Sequence, residues 1–167
     1  MPTECRVQAF ERAYEIYADM LYRISLSMLR SQSDAEDAVQ NAFCRYLDRA
    51  PSFTDGEHEK AWLIRVTVNQ CKDIMRRRSV RAWLPLEALT DVGVRERSTP
   101  ALDAVSALPP KYRSAVILYY LEEMSIADVA AALSLSPSAV KMRLSRARDL
   151  MRDLLTEANE GGTNAGS

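Results

Sequence analysis

Residues Pro110 to Leu155 read PKYRSAVILYYLEEMSIADVAAALSLSPSAVKMRLSRARDLMRDLL, and this pattern decides the fold. Two helices meet inside it at a tight turn. Ser125 is placed to cap the first, with Asp128 three residues on as an imperfect capping box. Ile126, Val129, Ala130 and Leu133 then recur at i, i+3, i+4 and i+7, the spacing of one helix face. Ser134-Leu135-Ser136 makes the turn. Ser136 is a natural N-cap for the second helix, and Pro137 falls at the first helical position, where a missing N–H costs nothing. Val140, Leu144, Ala147 and Met151 share one face of that helix, and Ser138, Lys141, Met142, Ser145, Arg146 and Arg148 point elsewhere. From Pro137 to Arg148 there are four basic residues and no acidic one. A helix-turn-helix has this form, with the second helix entering the major groove. A packed helical hairpin with a solvated basic face is the plainer alternative. The acid-free basic helix behind a Ser-Pro cap favours DNA.

The whole chain has 167 residues, room for one domain or two small ones, and 47% of them are hydrophobic, ample for packed cores. Its net charge is −1, so a nucleic-acid role has to rest on segregated charge. Residues 72–81 hold Lys72, Arg76, Arg77, Arg78 and Arg81 against Asp73 alone, whereas residues 34–37 read DAED. Such asymmetry suits one surface for DNA and another for a protein partner. Cys5, Cys44 and Cys71 show no C-x-x-C spacing and are odd in number, which predicts reduced thiols in a cytosolic protein. With neither a signal peptide nor a long apolar run, the chain is expected neither to cross nor to enter a membrane. His58 is the only histidine and no cysteine pair accompanies it, so no metal and no cofactor is expected. The chain also lacks a Gly-rich phosphate loop and a G-x-S-x-G turn, which argues against an enzyme.

Taken in order, Val7 to Leu29 reads as helix, with Phe10, Ala13, Tyr14, Tyr17, Met20, Leu21, Ile24 and Met28 as its core stripe. Ser33 is expected to cap the next helix, with Glu36 completing a capping box and Val39, Ala42, Phe43, Tyr46 and Leu47 facing inward. Asp37, Gln40, Asn41 and Arg45 face largely outward, and a solvated polar face explains them by default. Ala50 to Glu59 is a loop marked by Pro51 and Asp55-Gly56, with Phe53 either a small core anchor or an exposed aromatic. Lys60 to Arg78 is a long helix with an apolar stripe of Ile64, Val68, Cys71 and Met75. Arg65, Asn69, Lys72 and Arg76 make a separate polar stripe with Trp62 at its head. An aromatic beside a basic row suits single-stranded nucleic acid, although a buried Trp and an ordinary charged face fit the pattern too. Val80 to Thr99 carries no sustained periodicity. The expected fold is therefore all-α, with helical domains at 1–79 and 101–157, a flexible linker at 80–100 and a disordered tail at 158–167.

The two halves together resemble a bacterial RNA polymerase sigma factor of the extracytoplasmic-function (ECF) type, over roughly residues 8–155. DAEDAVQNAF, Asp34 to Phe43, is similar to that family's polymerase-binding helix. AWLIRVTVNQCKDIMRRR, Ala61 to Arg78, resembles its −10-recognition helix, with the family's Trp, Asn and Asp at Trp62, Asn69 and Asp73. LPPKYRSA, Leu108 to Ala115, and AVKMRLSRAR, Ala139 to Arg148, resemble its −35-binding domain. The chain departs from the family at Ser138-Ala139, where a Gly-Thr pair is frequent, and at Met142, where a small polar residue is common.

The resemblance implies a division of labour. Asp34, Asp37, Gln40 and Asn41 would meet the coiled coil of the polymerase's largest subunit, and the flap of the core enzyme would be a further partner. Arg49, Phe53, Trp62, Arg65, Asn69, Lys72, Arg76 and Arg77 would take the −10 single strand, with a flipped base held near Phe53 and Asn69. Ser138, Lys141, Met142, Arg143, Ser145, Arg146 and Arg148 would read the −35 duplex. An anti-sigma factor, in this family commonly membrane-anchored, is a further expected partner. A linker of about 20 residues reaches at most roughly 66–72 Å, about two duplex turns of roughly 34 Å each. A helix-turn-helix regulator of the response-regulator output type is the alternative, but it needs a βα pattern in the first half, which reads as helix only.

Overall fold

The computed structural model describes residues 3–81 and 99–163. Three long helices build the first domain: α1 (Thr3–Leu29), α2 (Gln32–Arg49) and α3 (Gly56–Arg81). Four more build the second: α4 (Pro100–Ala107), α5 (Pro110–Val116), α6 (Ile126–Leu133) and α7 (Pro137–Thr163). Between α5 and α6 the chain widens into one π-helical turn, Ile117–Leu121. No strand occurs among the described residues, so the all-α expectation holds. Most of the linker, residues 82–98, lies outside the described residues. Its expected first residues, Val80 and Arg81, belong to α3.

The expected apolar stripes form the cores. Leu21, Ile24 and Met28 of α1 are fully buried, as are Ile64 and Cys71 of α3, with Val68 and Met75 nearly so. Each such large side chain contributes about 1.5–3 kcal/mol by leaving water. In the second domain Val129, Val140 and Ala147 are fully buried and Leu144 is nearly so. The two predicted caps are present there. Ser125 Oγ accepts from Asp128 N at 3.1 Å, and Ser136 Oγ accepts from Ala139 N at 3.1 Å. Ser134 makes the turn between them in the left-handed region, φ 55°.

Several local expectations are corrected. Ser31, not Ser33, caps α2: it is the extended residue (φ −139°), and its Oγ accepts from Asp34 N at 3.3 Å. Ser33 already lies within the helix, so the Ser33–Glu36 box does not form. The Asp55-Gly56 pair is a helix start rather than a mid-loop turn, since Asp55 Oδ1 accepts from His58 N at 2.8 Å. Tyr14 and Leu47, assigned to the core by spacing, are 50% and 38% exposed. Both stand at the rim of the α1–α2 contact, where Tyr14 rests on Phe43 with ring centroids 5.0 Å apart. Finally, α7 continues to Thr163, so residues 158–163 of the expected disordered tail are helical, and residues 164–167 lie outside the described residues. Propagation adds one hydrogen bond per residue to an existing helix, and no breaker precedes Gly161-Gly162.

The two domains pack against each other, and one buried apolar cluster runs from Ala13 in α1 to Ala147 in α7. Helix α3 shows why. Leu63, Ile64, Val66, Thr67, Val68, Gln70, Cys71, Ile74 and Met75 are all buried. At roughly 100° per residue they occupy an arc of about 200°, twice the stripe of an ordinary surface helix. Helices α1 and α2 cover one part of that arc, and α5 and α6 pack on α3 as well.

Candidate nucleic-acid interface

The first three turns of α7 form an open basic face. Ser138, Lys141, Ser145, Arg146 and Arg148 are exposed, and Met142 is 56% exposed. Arg143 stands apart from this row. It is half-buried, and its Nη1 lies 3.5 Å from the Lys111 carbonyl. Arg148 is tied to Tyr120, donating to its hydroxyl at 2.9 Å.

On α3 the predicted polar stripe is divided. Asn69, Arg76 and Arg77 are exposed, whereas Arg65 and Lys72 are half-buried. Arg65 donates to the Ala131 carbonyl of α6 at 2.6 Å. Arg76 pairs with Asp73 at 3.1 Å, one turn away and open to solvent. Exposure of Asn69 rules out a buried structural role for its amide.

Phe53 is half-buried and packs against the edge of the core, so of the two readings the small anchor holds better than the exposed ring. It stacks on Tyr46 (centroids 6.0 Å, planes 18° apart) and meets Trp62 and His58 edge-on at 5.8 and 5.4 Å. Beside this cluster lies an open cavity of about 570 Å³, walled by Tyr46, Phe53, Arg6, Arg12 and Asp48. Arg49, exposed near the end of α2, is not among its lining residues.

Glu59 holds the cavity floor. Its carboxylate is 3% exposed and accepts from the Tyr46 hydroxyl at 2.6 Å and from Arg12 Nη2 at 2.9 Å. Burial, and then the hydrogen bond to Glu59, push the Tyr46 phenol up to about 12. The sequence places Glu59 at the end of a loop and so misses this network. The available signal was Tyr46 itself, an inward-facing tyrosine whose hydroxyl needs a buried partner.

The outer face of α2 presents Asp37, Gln40 and Asn41 to solvent. Asp34 is differently placed: it forms an ion pair with Arg78 of α3. Arg78 also donates to the Leu29 carbonyl at 2.8 Å, so this pair ties the ends of α1, α2 and α3 together. Among the described residues no cluster of three or more His, Cys, Asp or Glu side chains forms a metal site.

A helix-turn-helix whose second helix opens with an exposed, acid-free basic stretch (Pro137–Arg148), joined to a basic helix that starts beside a cavity walled by Tyr46 and Phe53, defines a two-domain, all-helical DNA-binding protein. Residues 13–81 match the family described as sigma-70 region 2, and residues 99–151 match sigma-70, region 4. The chain is 32% identical over 157 residues to ECF RNA polymerase sigma factor SigM of Mycobacterium tuberculosis, covering 92% of this chain and 80% of that one. It is 27% identical over 168 residues to ECF RNA polymerase sigma factor SigW of Bacillus subtilis, covering 89% and 90%. Among solved structures it resembles the sigma factor RpoE of Bartonella quintana, solved in complex with the anti-sigma factor NepR. That likeness has 26% identity and a TM-score of 0.68, over 89% of this chain and 98% of that one. The chain belongs to the sigma-70 family, in its ECF group. It is a transcription initiation factor that directs RNA polymerase core enzyme to promoters. A response-regulator output domain is not favoured.

Proposed function

We propose that the surfaces described above divide the initiation task as follows. The exposed Asp37, Gln40 and Asn41 face of α2 docks on the coiled coil of the polymerase's largest subunit. Asp34 supports that face through Arg78 and does not offer its carboxylate to the partner. Ser138, Lys141, Met142, Ser145 and Arg146 enter the major groove of the −35 element, while Arg148 is shared with Tyr120. The cavity beside Phe53 receives one unstacked base of the non-template strand, and Asn69, Arg76 and Arg77 follow its backbone. Unstacking a base costs a few kcal/mol, so capture needs a prepared site. The half-buried Phe53 ring on the cavity wall is the face offered for stacking, worth about 1–3 kcal/mol per base.

The chain makes and breaks no bonds in this scheme, and the core enzyme performs the chemistry. It works in the cytoplasm, where the polymerase is. None of its described helices is long and apolar enough to cross a membrane. An anti-sigma factor is the natural antagonist, supported by the likeness to a sigma factor solved in such a complex.

The observation that carries the base-capture role is the open cavity walled by Tyr46 and Phe53 at the start of α3. It is tested with promoter DNA carrying 2-aminopurine at each −10 position in turn. With core enzyme and this chain, melted positions should brighten on opening except the captured one, which stays quenched against the Phe53 ring, and Phe53→Ala should release that quench while −35 binding persists. An unchanged pattern with the Ala variant would remove the cavity from the scheme.

A further inference from the structure

Tyr120 and Arg148 come from different elements and meet on the exposed side of the second domain. Arg148 Nη1 donates to the Tyr120 hydroxyl at 2.9 Å. Tyr120 is 47% exposed, so this is not a bond that burial of its phenol demands. The π-helical turn puts the ring there. Glu122 N–H donates to the Ile117 carbonyl, five residues back, at 3.0 Å. Ile117 and Leu118 are fully buried. In a regular helix Leu121 would follow them inward, at i+4 and i+3. The wider i→i+5 turn takes up one extra residue, and Leu121 is 47% exposed instead. Tyr120 stands out beside it, edge-on to Tyr119 with ring centroids 4.9 Å apart. Single π turns of this kind recur at functional sites.

Distance along α7 indicates which part of a duplex the pair meets. Recognition helices touch base edges with their N-terminal residues. At about 1.5 Å per residue, Lys141 and Met142 lie roughly 6–8 Å beyond Pro137, and Arg148 roughly 16 Å beyond it. The major groove is about 12 Å wide. A helix seated by Lys141 and Met142 therefore carries Arg148 to the edge of the groove, where the phosphates run. At about 100° per residue Arg148 falls within about 20° of Lys141, on the same side of the helix.

The bond leaves both groups able to bind. The Tyr120 hydroxyl accepts from Arg148 and keeps its own proton to donate, and the guanidinium keeps its other N–H groups. A neutral hydroxyl does not cancel the arginine's charge. The adjoining acid, Asp149, pairs with Arg152 at 3.7 Å. A guanidinium and a phenol converging from two elements present the kind of donors that backbone phosphates take.

We propose that Tyr120 is a positioning residue of the −35 interface. It holds Arg148 on one backbone phosphate at the edge of the groove and donates its own proton to that phosphate. Arg148 then anchors the helix and reads no base. Holding the arginine in place beforehand reduces the rotamer freedom lost on binding. This assignment rests on the −35 role given to α7 above.

The test uses the full chain assembled with core enzyme, on promoter fragments carrying the parental −35 element or single-base changes in it. Tyr120→Phe keeps the ring and removes the hydroxyl. It should weaken promoter binding roughly three- to tenfold, by the same factor on every −35 sequence. Arg148→Ala should also act uniformly and lower the salt slope by about one unit. In the Arg148→Ala background Tyr120→Phe should cost clearly less than in the wild type, because the group it positions is already gone. A methylphosphonate placed at each phosphate flanking the −35 element in turn should locate one position where wild type and both variants bind alike. Core-enzyme affinity and melting temperature should stay at wild-type values, since both side chains are exposed. Wild-type promoter affinity for Tyr120→Phe would overturn the proposal. So would losses that multiply, or that change with the base sequence. A lowered melting temperature with none of the binding effects would make the pair a fold contact only, and overturn it too. Lys141→Ala separates the two readings. If it also binds as wild type, the −35 role of α7 fails as a whole; if it loses affinity while Tyr120→Phe does not, this inference alone fails.

Discussion

Replacing Tyr46 by Phe removes one oxygen from the floor of the cavity beside Phe53 and leaves the ring, and its contacts with Phe53 and Trp62, in place. The lost bond runs 2.6 Å to a carboxylate that is 3% exposed. Hydrogen bonds to charged groups are worth about 1.5–3 kcal/mol. Glu59 keeps Arg12 as a partner at 2.9 Å, so it is not left unpaired and the loss stays within that range. A loss of about 2 kcal/mol lowers the melting temperature of a chain this size by roughly 4–8 °C. The pH dependence gives a second check. The Tyr46 phenol is raised from 10.0 to about 12 in the folded chain, by burial first and Glu59 second. A raised pKa means the folded state holds the proton more tightly than the unfolded one. The contribution is therefore complete below about pH 10 and drains away between about pH 10 and 12. The gap between wild type and Tyr46→Phe should stay flat up to about pH 10 and narrow above it. Urea melts followed by circular dichroism across that range measure it. Equal stability at pH 7, or a gap indifferent to pH, would refute the buried charge-assisted bond.

Three further outcomes follow from the assigned surfaces. Asp37→Arg reverses an exposed charge on α2 and should abolish core-enzyme binding in a titration with the melting temperature unchanged. Lys141→Ala and Arg146→Ala should each weaken −35 binding by about 1–3 kcal/mol where the side chain reaches a base edge. A side chain that meets only phosphate should instead lose affinity on every sequence and lower the salt slope by about one unit. Asn69→Ala should leave the fold, core binding and −35 binding intact and impair open-complex formation, with partial rescue on pre-melted templates. Permanganate footprints beside a melting curve check that, and normal opening by a stable variant would remove Asn69 from strand capture.

How far the sequence could be read depended on the range of the interaction. Ser125, Ser136 and Pro137 act within one turn of chain, and their caps formed where the local pattern put them. The α7 face was legible for the same reason, since helical spacing alone separates Val140 and Leu144 from Lys141 and Ser145. The Glu59 network was not legible, because Arg12, Tyr46 and Glu59 come from three different helices and only packing brings them together. Asp34 looked like its neighbour Asp37, yet the side chain turns inward to Arg78, 44 residues away. Arg65 and Lys72 looked like Asn69 and Arg76, and the second domain separates them by covering one edge of the stripe. Ser31 and Ser33 present the same hydroxyl two residues apart, and only backbone dihedrals distinguish the cap from the helix interior.

Promoter opening with core enzyme tests the account most directly. Purified chain, core enzyme and a linear promoter are combined, and unpaired thymines at the −10 element are mapped with permanganate while run-off transcripts are counted. The account predicts reactive thymines and discrete transcripts only when both chain and core are present, with both lost on alteration of either the α3 stripe or the α7 face. Tight duplex binding by the chain alone, with no reactive thymines and no transcript on adding core enzyme, would contradict it.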